Sequence, residues 1–206
     1  GKKDAAKAVM FTIATLPKSG IVLLVILFAF NYCNAQSTDD GLVAYYTFCD
    51  CTAKDISGNH RDGIITGNPV CAKGIRDKGL LMNQTPGDNG CGLAGGEYIR
   101  LPKLDAIWSK GFSVCAWVKF DQENFYERIV DFSNDHGQAG GMPLWFGRQA
   151  ATNDLAIESW INSDGDQART TGKLIAPNVI TNGKIEYYCA TIHEDTMRIY
   201  VNGIMV

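Results

Sequence analysis

The chain has 206 residues, with 19 Lys and Arg against 22 Asp and Glu, a formal net charge of −3 and a sequence pI of about 5.6. That mildly acidic balance excludes the basic stripe that nucleic-acid binding requires. The 22 glycines and the scarcity of long polar helix formers describe a turn-rich domain.

Residues 1–35 read as a secretory signal. Gly20 to Phe30 (GIVLLVILFAF) is an uncharged apolar run preceded by Lys18 and followed by Asn31-Tyr32-Cys33-Asn34-Ala35, with small residues before Gln36. Met10 is a candidate start that opens a compact n-region. The rival, a membrane anchor, needs about 20 apolar residues, and Pro17 and Lys18 interrupt any extension of the run. Cleavage predicts a secreted, extracellular or cell-surface protein with no membrane span after processing. Residues 36–206, roughly 170 residues, then form one domain with a sizeable core, since no Pro/Ser-rich linker or repeat divides them.

Export changes the meaning of the cysteines. Cys33 leaves with the signal, and Cys49, Cys51, Cys71, Cys91, Cys115 and Cys189 remain, an even set that reads as disulfides in an oxidising compartment. Zinc fits poorly: Cys49 and Cys51 are one residue apart, no second close pair exists, and His60, His136 and His193 fall at no ligand spacing.

In chain order, Leu42 to Phe48 (LVAYYTF) is a β-branched and aromatic strand, followed by a turn-rich stretch from Asp50 to Asn68 that holds Ser57-Gly58-Asn59 and Asp62-Gly63. Strands are predicted at Tyr98 to Leu101, Phe112 to Phe120, Ile129 to Phe132, Pro143 to Phe146, Leu155 to Ile161, Ile185 to Ile192 and Met197 to Val201. Asp164-Gly165, Asn182-Gly183 and Asn202-Gly203 mark turns. No window outside the signal holds a helical period. The expectation is all-β: a two-sheet antiparallel jelly-roll sandwich.

Alternation assigns faces. Phe112, Val114, Ala116 and Val118 form a core row that leaves Ser113, Cys115, Trp117 and Lys119 on the other side. Tyr188, Ala190 and Ile192 oppose Tyr187, Cys189, Thr191 and His193. Leu155, Ile157, Ser159 and Ile161 oppose Ala156, Glu158, Trp160 and Asn162, while Arg198, Tyr200 and Asn202 oppose Met197, Ile199 and Val201. One mixed face is thereby expected to collect Trp117, Trp160, Tyr187, Tyr200, Glu158, His193 and Arg198.

These segments resemble the concanavalin A-like, laminin-G-like jelly roll of secreted proteins. The resemblance rests on Gly41 to Phe48 as the opening strand, Asp55-Ile56-Ser57-Gly58-Asn59 with Asp62-Gly63 as the following loop, and Glu97 to Pro102 as a third landmark. Gly111 to Lys119 resembles the central strand, and Met197 to Gly203 the late hairpin. The match spans Gly41 to Val206, and the family pattern places further strands after Val206. Pentraxins, which share the fold, join a cysteine in the strand like Phe112 to Lys119 to one in the strand like Tyr187 to His193. The resemblance thus implies a Cys115–Cys189 bridge, and both cysteines fall on the non-core face of their strands. Cys49, Cys51, Cys71 and Cys91 allow three pairings, of which Cys51–Cys71 is favoured.

Glucanases of this fold carry two glutamates and an aspartate on one strand face, and no Glu-x-Asp-x-Glu or Glu-x-Asp-x-x-Glu pattern occurs, so the expectation is a non-enzyme. Asp164-Gly165-Asp166 and His193-Glu194-Asp195 read as turns. Trp117, Trp160 and Tyr200 form a candidate sugar-stacking platform, with Glu158 and His193 as hydrogen-bonding partners; the plainer reading is that these aromatics cover the sheet or pair across strands. The expected partners are glycans or extracellular proteins, and the alternatives are an accessory domain of a glycan-active hydrolase or a protein-recognition module without sugar binding. The superfamily implies calcium as a cofactor, with Asp55, Asn59 and Asp135 as candidate ligands. Asn83-Gln84-Thr85 is a glycosylation sequon.

Overall fold

The computed structural model describes residues 41–83, 96–103, 111–121, 125–132, 144–163 and 167–206, and for 160–163 and 167–171 it describes the backbone alone. Residues 1–35, where a signal is expected, lie outside these residues. The described strands are β1 (Ile64–Thr66), β2 (Val70–Lys73), β3 (Lys78–Leu81), β4 (Tyr98–Arg100), β5 (Phe112–Lys119), β6 (Arg128–Asp131), β7 (Leu144–Arg148), β8 (Leu155–Ser163), β9 (Gln167–Ala176), β10 (Ile185–His193), β11 (Thr196–Val201) and β12 (Ile204–Met205). No helix among the described residues is long and apolar enough to cross a membrane.

Two four-stranded antiparallel sheets make the body, one in the order β12-β11-β10-β5 and one in the order β6-β7-β8-β9. Their inner faces share one core. Tyr188, Ala190 and Ile199 from the first sheet meet Leu144, Phe146, Leu155, Ile157 and Ala176 from the second, with Phe112, Val114, Val118, Leu174 and Met197 packed against them. Gly172 marks how closely the sheets approach, because a Cβ there would stand 2.8 Å from Met197 Cε of β11. Burying such large apolar side chains supplies about 1.5–3 kcal/mol each, which holds the two sheets together. The all-β sandwich expected from the alternation is what forms.

Two polar clusters sit within this core. Arg148 is fully buried, its guanidinium 4.8 Å from the Phe120 ring and bonded to Glu127 at 2.6 Å, the Thr152 carbonyl at 2.7 Å and Asn182 Oδ1 at 2.8 Å. Glu186 accepts from Lys184 at 2.7 Å, from the Tyr188 hydroxyl at 3.0 Å and from Asn202 Nδ2 at 3.2 Å. Burial opposes ionisation of Glu186, yet those donors outweigh it and hold the carboxyl below its ordinary range.

The opening segment departs from expectation. Leu42 to Phe48 forms no strand, and Tyr46 makes a single antiparallel bridge to Asp55. Its backbone groups are satisfied by side chains instead: Asn59 Nδ2 donates to the Leu42 and Val43 carbonyls at 2.7 and 3.0 Å, Arg61 Nη1 to Val43 at 3.1 Å, and Tyr45 N–H donates to Asp55 at 2.9 Å. Phe48 and Cys51 then take the left-handed conformation, φ 55° and 60°, and Cys51 N–H closes the turn on the Phe48 carbonyl. Propensity in this segment yields to side-chain capping. Conversely, β9 forms although its sequence (QARTTGKLIA) shows no apolar alternation until Leu174; its pairing with β8 supplies the order.

Candidate functional site

The outer face of the β12-β11-β10-β5 sheet is an aromatic and hydroxylic surface. β5 alternates half-buried and exposed residues from Phe112 to Lys119, so Ser113, Cys115, Trp117 and Lys119 face outward. Antiparallel register sets Trp117 opposite Tyr187, Cys115 opposite Cys189 and Ser113 opposite Thr191, while β11 adds Tyr200 opposite Cys189 and Arg198 opposite Thr191. Trp117 is 53% exposed, and its ring lies 5.0 Å from that of Tyr187 at a 40° tilt. Tyr187 is held in turn by its strand, because Asn202 accepts from its N–H at 3.0 Å and donates to its carbonyl at 2.8 Å. The Asn202-Gly203 turn that places Asn202 has positive φ at both residues, 52° and 82°, the primed geometry that an Asn-Gly hairpin favours. Beside the aromatics, Cys115 and Cys189 are disulfide-bonded with Cα atoms 4.1 Å apart. His193 lies exposed at the end of β10, and Glu194 and Asp195 form the turn into β11.

The single mixed face expected from alternation divides between two sheets. Trp117, Tyr187, Tyr200, Arg198 and His193 share the first sheet, whereas Glu158 and Trp160 belong to β8 of the second, on the far side of the core. Alternation sorts residues within a strand and does not say which sheet a strand joins. Trp160 pairs with Thr170 just beyond a bulge in the β8–β9 ladder, and its side chain lies outside the described residues.

On that second sheet, Asp131, Trp145, Glu158 and Lys173 follow one another across β6, β7, β8 and β9. Lys173 and Glu158 form an ion pair at 2.9 Å. Trp145 is 1% exposed although it faces away from the core: the Arg128 guanidinium lies over its ring at 3.7 Å, and Tyr126 meets it edge-on at 5.8 Å. Gly147, two residues on, permits the cover, because a Cβ there would collide with the Glu127 carbonyl oxygen. Sequence reasoning missed Trp145, Arg128 and Tyr126. Leu144-Trp145-Phe146 is an unbroken apolar run, and the bulge between Arg128 and Val130 upsets the alternation of β6; the adjacent arginine and aromatics in Phe125-Tyr126-Glu127-Arg128 were the available signal.

The loop with the expected calcium ligands is organised by donors. Asp55, buried, accepts four bonds of 2.9 Å, from the N–H groups of Tyr45, Ser57 and Arg61 and from the Ser57 hydroxyl. Asn59 turns its amide nitrogen toward carbonyls. A cation site needs converging oxygens, whereas these groups surround the carboxylate with hydrogens, so this loop does not fit calcium. Among the described residues, no group of three or more His, Cys, Asp or Glu side chains could hold a metal ion. Asp135 lies outside the described residues. Cys51 and Cys71 are disulfide-bonded, tying the loop to β2; Cys49 is a half-buried free thiol, and Cys91 lies outside the described residues.

Two antiparallel sheets packed face to face, with aromatic and polar side chains on the outer faces, define a lectin-like sandwich domain. Residues 93–206, more than half of the chain, match a laminin G-type family of the concanavalin A-like lectin/glucanases superfamily. The chain belongs to that superfamily. Among solved structures, domain 4 of AbnA, a GH43 extracellular arabinanase from Geobacillus stearothermophilus in complex with arabinotriose, aligns with a TM-score of 0.52 and 21% identity over 80% of this chain and 72% of that one. At that identity the likeness is one of fold. None of the curated proteins compared with the chain matches it.

Proposed function

We propose that this chain is a secreted, non-catalytic carbohydrate-recognition module of an extracellular protein, binding glycan through Trp117 and Tyr187 with Tyr200 at the margin. The observation that carries the reading is the position of Trp117: an indole more than half exposed on the solvent side of a central strand, braced by a tyrosine that its own strand orients. Exposed aromatic faces stack on sugar rings, and the hydroxyls of Thr191, Ser113 and Tyr200 offer hydrogen bonds beside them. Arabinose-containing oligosaccharides are the first ligands to try, because the structural neighbour is an arabinanase domain in complex with arabinotriose. Two disulfides suit an oxidising compartment.

The same neighbour favours a second reading, an accessory domain that holds a hydrolase on its polymer. One experiment addresses the binding common to both. Trp117→Ala should markedly weaken retention on arabinan and related neutral polysaccharides while costing less than about 1 kcal/mol of stability, since a cross-strand aromatic pair is lost and no core cavity opens. Undiminished retention in a folded variant removes Trp117 from the ligand surface.

A further inference from the structure

The second sheet carries a polar arrangement that the sandwich does not use. Trp145 is buried on the side of β7 opposite the core, and its indole N–H has no hydrogen-bond acceptor among the described residues. Gln149, just past the end of β7, gives its amide N–H to the Tyr126 hydroxyl at 3.2 Å, and its own Oε1 is buried without a donor among the described residues. Buried polar groups are nearly always paired, so an unsatisfied donor and an unsatisfied acceptor around one tyrosine call for an explanation. A hydroxyl group supplies both halves, because it accepts through its lone pairs and donates through its proton.

The surroundings select the ligand further. Across the strands run Asp131, Trp145, Glu158 and Lys173, with Arg128 lying over the indole. Within this row the described side chains pair by charge: Arg128 stands 3.6 Å from Asp131, and Lys173 stands 2.9 Å from Glu158. Such a row presents carboxylate acceptors and cationic donors side by side, the pattern that vicinal hydroxyls satisfy. The cover over Trp145 reaches solvent through Arg128, whose side chain is 26% exposed. A ligand therefore gains the indole by moving a flexible side chain rather than backbone. Phe125, 47% exposed and edge-on to Tyr126 at 4.5 Å, adds an apolar margin at the same end.

We infer that the outer face of the β6-β7-β8-β9 sheet is a second ligand-binding surface, specific for neutral, hydroxyl-rich oligosaccharides, in which one ligand hydroxyl engages Trp145 Nε1 and another the Gln149 side-chain amide, while Glu158 and Lys173 bind neighbouring hydroxyls. It recognises by hydrogen bonding, in contrast to the stacking assigned to Trp117, and it is independent of that residue.

The Trp145 indole N–H resonance, assigned by its disappearance in Trp145→Phe, reports the site directly. Titration of the protein with arabinotriose, xylotriose or cellotriose should shift that resonance saturably for at least one sugar. Glu158→Gln and Lys173→Gln, both at partly exposed positions, should weaken the response about tenfold each, the worth of one charge-assisted hydrogen bond. In a Trp117→Ala background the response should persist. A resonance that none of the sugars moves overturns the inference, as it would if Nε1 and Oε1 merely enclose a water. A response that Glu158→Gln and Lys173→Gln leave unaltered, or that Trp117→Ala abolishes, overturns it too. Calorimetric binding without movement of the Trp145 resonance removes this surface and leaves the Trp117 reading standing, whereas binding in Trp117→Ala that tracks the resonance does the reverse.

Discussion

Asp55 shows how much one carboxylate can organise. It receives four hydrogen bonds at 2.9 Å, and three of the donors are backbone N–H groups from Tyr45, Ser57 and Arg61. Burial raises its pKa, but the hydrogen bonds prevail and hold the carboxyl well below the usual carboxylate range. The folded-state pKa is thus depressed relative to about 3.9 in the unfolded chain, so the stabilisation is fully present above the unfolded value and is lost as pH falls toward the folded one. Asp55→Asn keeps the shape, replaces one oxygen by a donor and sets it against N–H groups. The expected loss is about 1–3 kcal/mol at neutral pH, with a stability profile below about pH 4 that is flatter than in the parent. Chemical denaturation at several pH values checks both, and a variant as stable as the parent at neutral pH would show that the loop does not depend on this acceptor.

At the scale of elements, the β5–β10 pair is fixed twice, by its ladder and by the Cys115–Cys189 bond between directly opposed residues. The bond closes a sequence separation of 74 residues, which in the chain-entropy treatment stabilises by about 4 kcal/mol. Cys115→Ala with Cys189→Ala should therefore lower the melting temperature markedly while leaving the sheet's circular dichroism in place; an unchanged melting temperature would contradict the entropic account. The residues of this pair were also the most legible in the sequence. In Phe112 to Lys119 one face is core and the other solvent, so a period of two sorts every residue correctly, Trp117 included. The same rule was silent on Trp145, where both faces of β7 are buried and hydrophobicity does not alternate. It was misleading for Leu42 to Phe48, whose β propensity is overridden by Asp55, Asn59 and Arg61 reaching back to its backbone. Pattern reads burial on one side of a strand; bulges, side-chain caps and the choice of sheet are set by residues distant in sequence, and for that reason Glu158 and Trp117 were expected together and are found apart.

The whole molecule places its two polar-aromatic surfaces back to back. The core of Phe146, Ile157, Tyr188 and Ile199 lies between them, with the sheets about 10 Å apart as in other sandwiches. A stretch of glycan on one face cannot at once lie on the other, so a domain with both surfaces occupied holds two strands of polymer rather than one strand more tightly. Linked sites raise avidity when a single ligand spans them and bridge separate ligands when geometry forbids the span. The expected outcome is that the protein, added at micromolar concentration to soluble linear arabinan, raises light scattering through a maximum and then lowers it as excess protein saturates separate chains. Trp117→Ala and Glu158→Gln, each leaving one surface intact, should bind the polymer without raising the scattering. Equal scattering from either variant would mean that one surface suffices, and the back-to-back arrangement would then have no part in cross-linking arabinan.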